Sequence, residues 1–215
     1  MIIGICGFIG SGKDTVADYL VNFHGFRRES FASSLKDAVS SVFGWDRTLL
    51  EGRTKESREW REQKDEWWSS RLQRDITPRY VLQQWGTEVL RTGFHDDIWI
   101  ASVENKIRQT KDNVVITDCR FVNEITAIRN AGGKVIRVKR GEEPLWYNHA
   151  LRANLSNKFD EDREYFQQKL AQFNIHESER AWVGTKFDAT IENSTSIDEL
   201  YKTIRSQVLD LPDAT

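Results

Sequence analysis

An apolar run, Ile2-Ile3-Gly4-Ile5-Cys6, passes without a break into Gly7-Phe8-Ile9-Gly10-Ser11-Gly12-Lys13-Asp14-Thr15. No other stretch constrains the fold as much, because a buried strand must enter a glycine-rich turn and leave it as a helix. The helix is legible too: Val16, Ala17, Leu20 and Phe23 share one face, and Gly25 ends it. Such a turn lets successive backbone N–H groups face one anion. The helix N-terminus adds a positive dipole, and Lys13 adds a mobile charge. The pattern predicts a bound nucleoside triphosphate, with Gly10, Ser11, Gly12, Lys13, Asp14 and Thr15 around its phosphates. Asp14 stands where Ser or Thr commonly ligates Mg²⁺. A carboxylate is also a hard oxygen donor, so Asp14 and Thr15 are candidate metal ligands.

Further apolar runs at 113–118, 134–138 and 189–192 read as buried parallel strands. Helical patterns alternate with them. One runs from Leu35 to Gly44, one opens at Thr77-Pro78 and closes at Gly93, one begins near Asp97, and one is capped by Ser196 with Glu199. This alternation predicts an α/β, three-layer fold with a parallel β-sheet and the ligand at the carboxyl ends of its strands. The 215 residues suit a single domain. Two regions interrupt the alternation, a helical insertion expected over 45–76 and a lid or substrate-binding region expected over 141–185. Inserted segments of this kind commonly grip a second substrate or close over it.

The net charge of −2 gives no support for nucleic-acid binding. Two cysteines, Cys6 and Cys119, give neither a disulfide framework nor a metal-ligand spacing. No apolar stretch approaches the roughly 20 residues that span a bilayer. A cytoplasmic protein without a membrane partner is expected.

Transfer of a phosphoryl group needs positioning and charge neutralisation more than covalent help, and an acceptor that is itself a phosphate monoester needs no base. Arginines and lysines at strand ends and helix starts are therefore the candidates: Lys36, Arg79, Arg91 and Arg120. Asp118, after the run Val114-Val115-Ile116-Thr117, suits a magnesium-organising acid; the competing reading is a helix N-cap.

Several blocks together resemble the bacteriophage deoxynucleoside monophosphate kinases. They are 7–17, 31–36, Gln84-Trp85-Gly86-Thr87-Glu88-Val89-Leu90-Arg91 with Asp97-Ile98-Trp99, Asp118-Cys119-Arg120-Phe121-Val122-Asn123-Glu124, and His176-Glu177-Ser178-Glu179. The resemblance implies a P-loop kinase that phosphorylates deoxynucleoside monophosphates with ATP and Mg²⁺. On that reading Lys13, Arg120 and Asp118 are catalytic, with Asp14, Thr15 and Asp118 near the metal. Lys36, Arg79, Arg91 and Arg120 meet the acceptor, Trp85 or Trp146 stacks on its base, and Arg137, Arg140 and Arg152 serve a lid. The expected partners are ATP and the acceptor nucleotide, with a homodimer left open, and the location is host cytosol if the gene is a phage's. Competing readings are a kinase of another small phosphate, of the dephospho-coenzyme A or phosphomevalonate type, and a nucleotide-dependent ATPase or switch.

Overall fold

The computed structural model describes residues 1–156 and 161–210. In chain order the elements are β1 (Ile2–Cys6), α1 (Lys13–His24), β2 (Arg27–Glu29), α2 (Ser33–Phe43), α3 (Lys55–Glu62), α4 (Glu66–Leu72) and α5 (Pro78–Gln83), which continues as a π-helix over Gln84–Thr92. There follow α6 (Ile98–Arg108), β3 (Val114–Ile116), α7 (Val122–Asn130), β4 (Lys134–Lys139), α8 (Tyr147–Leu155), α9 (Glu161–Ala171), α10 (Glu177–Arg180), β5 (Ala189–Glu192) and α11 (Ile197–Ile204). Two compact units result, one made of 1–30 and 107–215, the other of 31–106.

The first unit holds a five-stranded sheet in the order β2-β3-β1-β4-β5, with every neighbouring pair parallel. Strand alternation sends Ile3 and Ile5 to one face, where they join Val16, Ala17 and Leu20 of α1 and Leu200 and Ile204 of α11 in a fully buried cluster. On the opposite face Gly4 lies against Ile128 of α7. A methyl group there would meet the Ile128 side chain at 2.6 Å and Cys119 Sγ at 3.0 Å, so the helix packs closely only because the residue is glycine.

The sheet also parts where a ligand would enter. β1 pairs with β3 only as far as Gly4 with Ile116, whereas its pairing with β4 continues to Cys6 with Arg137. The strand expected over 113–118 is therefore shorter, and Thr117 and Asp118 lie beyond it. Connections from the central strand run outward in both directions, which puts a crevice at the carboxyl ends beside β1. The charged segment Arg27–Glu29, which lacks the apolar pattern of a strand, pairs as an edge strand on β3.

The second unit contains the whole of 45–76. Two short helices stand there: α3, capped by a reciprocal Thr54–Ser57 box, and α4, capped by Asp65. Asp65 also accepts the Trp45 indole N–H at 2.7 Å, and the Trp68 indole donates to the Phe43 carbonyl at 3.0 Å. Trp45 and Trp68 thus tie the loops of this unit together, while Trp67 is largely exposed. The expected lid region, 141–185, carries α8, α9 and α10. Its residues 157–160 lie outside the described residues. Among the described residues no helix is long and apolar enough to cross a membrane.

Candidate active site

The loop between β1 and α1 is held in shape by three glycines with positive φ: Gly7 at 146°, Gly10 at 79° and Gly12 at 97°. At Gly7 a side chain would overlap the Val138 carbonyl, and at Gly12 it would overlap the Asn193 amide. Asn193, one residue past β5, donates from Nδ2 to the Ser11 carbonyl at 2.9 Å, and its own N–H is fixed on the Lys139 carbonyl at 2.7 Å. The loop is thereby fastened to the ends of β4 and β5. No side chain caps α1, so its first amides are not claimed by a capping side chain. The Ser11 hydroxyl is buried and has no hydrogen-bond partner among the described residues.

Lys13 bends back over this loop, its Nζ donating to the Gly7 and Phe8 carbonyls at 2.7 Å each. Burial lowers its pKa and the Arg120 guanidinium lowers it further, while the Glu179 and Asp14 carboxylates pull the other way. Lys13, Arg120 and Glu179 therefore share one electrostatic neighbourhood. Arg120 reaches it because the turn before α7 is pinned: the buried Glu124 carboxylate accepts the Arg120 N–H at 2.8 Å and the Phe121 N–H at 3.0 Å. Phe121 is the N-cap residue of α7, so Asp118 does not have that role. Asp118 stands next to Cys119, whose thiol is pushed up by burial, by a hydrogen bond with Cys6 and by the Asp118 charge.

Asp14 is engaged by Arg28 of β2, whose guanidinium donates to its Oδ1 at 2.8 Å and to Asp18 at 3.0 Å. Thr15 follows it on the first turn of α1. Among the described residues no group of three or more His, Cys, Asp or Glu side chains could hold a metal alone.

Arg137 stands on β4, where it is buried. Its Nη2 is bidentate to Glu143, at 2.8 and 2.7 Å, and its guanidinium lies about 5 Å from the Tyr147 and Trp182 ring centres. Trp146 makes an edge contact with Phe8 at 5.3 Å, and Trp182 packs on the same ring at 4.7 Å. Arg140 follows β4, Arg152 is on α8, and both are exposed. In the second unit Lys36 donates to Glu51 at 2.7 Å, and Arg79 is exposed near Glu62. Trp85 meets the Phe43 ring edge-on at 5.5 Å, and Arg91 is half-buried on the π-helix.

No motif or spacing singles out Asn193, Arg28 or the link from Glu179 to Arg120. Asn193 follows the last strand at its carboxyl end, a position that could have marked it. Glu179 lies within a block already noted, but its partner is 59 residues away.

The deoxynucleotide monophosphate kinase family model matches residues 49–161, just over half of the chain. A protein of Acanthamoeba polyphaga mimivirus, provisionally named a deoxynucleotide monophosphate kinase, is 33% identical over 154 residues, covering 65% of this chain and 74% of that protein. The deoxynucleoside-5'-monophosphate kinase of Escherichia phage T5 is 28% identical over 179 residues, covering 60% of this chain and 72% of that protein. Among solved structures, a shikimate kinase from Aquifex aeolicus overlaps 97% of this chain and 96% of its own at 13% identity, with a TM-score of 0.43, a likeness too loose to bear on function.

Proposed function

The chain belongs to the deoxynucleotide monophosphate kinase family, and from that premise we propose that its phosphate loop and Arg120 move the terminal phosphoryl group of ATP onto a deoxynucleoside monophosphate. The enzyme is a phosphotransferase, and its products are a deoxynucleoside diphosphate and ADP. The observation that carries the residue assignment is the glycine-shaped loop after β1, on whose Gly7 and Phe8 carbonyls the Lys13 ammonium rests, with the Arg120 guanidinium near enough to help lower the lysine's pKa. Positive charge fixed in advance at that point costs no reorganisation when negative charge spreads over the transferred group.

Lys13 is restrained by two neutral carbonyls. Its charge is therefore not cancelled by a partner, and a phosphate oxygen can replace a carbonyl as its acceptor with a gain in electrostatic energy. Arg120 presents a planar fork suited to phosphate oxygens. The acceptor phosphate is dianionic near neutral pH and attacks without a base. Recognition of the acceptor is assigned to Arg91, Arg79 and Trp85 in the second unit. Lys36, committed to Glu51, shapes that unit instead. Trp146 packs on Phe8 and supports the loop, while the exposed Arg140 and Arg152 are the lid cations.

The donors fit magnesium. Thr15 and Asp118 offer hard oxygens, and Asp14, held by Arg28, is the less suited of the three. Magnesium held there would share its coordination with substrate phosphates, neutralising their charge. Release of ADP measured with each of the four deoxynucleoside monophosphates tests the reading. Turnover with at least one supports it, and ATP binding without turnover of any would refute it.

A further inference from the structure

We propose that Glu179 is a positioning residue for Arg120, holding one edge of the guanidinium so that the rest of the fork faces the phosphates; the inference rests on the function proposed above. The Arg120 Nη1 donates to Glu179 Oε1, and the Glu179 side chain is 20% exposed against 38% for Arg120. The acid is thus the more deeply set partner. Nη1 is the one guanidinium nitrogen with a recorded partner among the described residues, which leaves Nε and Nη2 as donors.

Glu179 can serve as an anchor because its own helix is fixed from two sides. The Asn154 side chain of α8 donates to the carbonyls of Arg180 and Val183 at 2.9 and 2.8 Å. Three residues beyond Glu179, Trp182 is buried and rests on Phe8. Phe8 supplies a carbonyl that restrains Lys13. The segment made of α10 and the turn that follows it therefore sets the guanidinium through Glu179 and braces the lysine's loop through Trp182. A flexible arginine held at one edge loses less rotamer freedom when phosphate arrives, and misplacement of such a group is costly to turnover.

The test is a double-mutant cycle in the full chain, using whichever of dAMP, dGMP, dCMP and dTMP the wild-type chain phosphorylates fastest. Glu179→Ala is expected to lower kcat roughly tenfold to a hundredfold, with KM for ATP little changed. In an Arg120→Ala background the same substitution should change kcat less than about twofold, because its effect passes through the missing guanidinium. If Glu179→Ala does not fold, judged by thermal unfolding, Glu179→Gln replaces it in the cycle and should show the same non-additivity. Unchanged kcat, or an equal loss in both backgrounds, overturns the role of Glu179 while leaving the kinase reading intact. A wild-type chain that phosphorylates none of the four brings down both.

Discussion

Two lysines, one in each unit, show how differently a protein can use the same charge. Lys13 is held by the carbonyls of Gly7 and Phe8, which are neutral. Lys36 is held by the carboxylate of Glu51, which also takes the Arg47 guanidinium. Both ammonium groups are partly buried and well ordered by hydrogen bonds. Only the first keeps its single point charge unpaired, since dipoles orient a cation without cancelling it, whereas a carboxylate neutralises a lysine; Arg120, paired with Glu179 through Nη1, still has the other donors of its fork. The partner, more than the lysine, separates a group ready for an anionic ligand from one that fastens loops together.

The largest effect expected from this contrast is on Lys13. Lys13→Ala should lower turnover by roughly a thousandfold or more with little change in unfolding temperature, as read by ADP release and a thermal melt. Near-normal turnover would break the comparison at its root. Gly12→Ala forces a side chain onto the Asn193 amide at a φ of 97°, and should cost about 1–3 kcal/mol together with much of the ATP affinity measured by calorimetry.

Lys36→Gln should behave in the opposite manner, lowering stability by about 1 kcal/mol while turnover stays within a few-fold of wild type. A selective rise in KM for the acceptor at unchanged stability would return Lys36 to the binding site. Burial raises the Glu51 pKa, but Lys36 and Arg47 more than reverse this and hold it at about 2 against 4.5. Because the folded value lies below the ordinary one, the associated stability is present above pH 4.5 and is lost as pH falls from 4.5 towards 2. Acid unfolding followed by circular dichroism should be less steep in that window for Lys36→Gln. The smallest change is expected for Arg28→Gln. Its partners Asp14 and Asp18 are 70% and 58% exposed, so the loss should stay within roughly 1 kcal/mol in a denaturant melt.

The phosphate loop was legible because its geometry is local. A strand, glycines with positive φ and a lysine at fixed spacing leave few other conformations. β1 and β3 were legible for a similar reason, as burial on both faces demands an unbroken apolar run, and the same pattern with charged residues among it marks β4; β5, where only Ile191 is buried, gave a weaker signal. β2 was not, since Arg27-Arg28-Glu29 pairs through its backbone alone and carries no periodicity. The π-helix at Gln84–Thr92 was merged with α5, because both turns present a helical pattern and the change of hydrogen-bond register leaves no compositional mark. Within the site, Arg120 could be named from its block, but Glu179 could not be joined to it. Such a pair depends on where α10 is carried by the packing of Trp182 and the bonds from Asn154.

One of the two edge strands of the sheet, β2, has a consequence for how copies of the chain behave towards one another. β2 is three residues long, and all three are charged. A margin so brief and so charged gives a neighbouring chain almost no ladder to extend on that side, which discourages β-mediated aggregation there at high concentration.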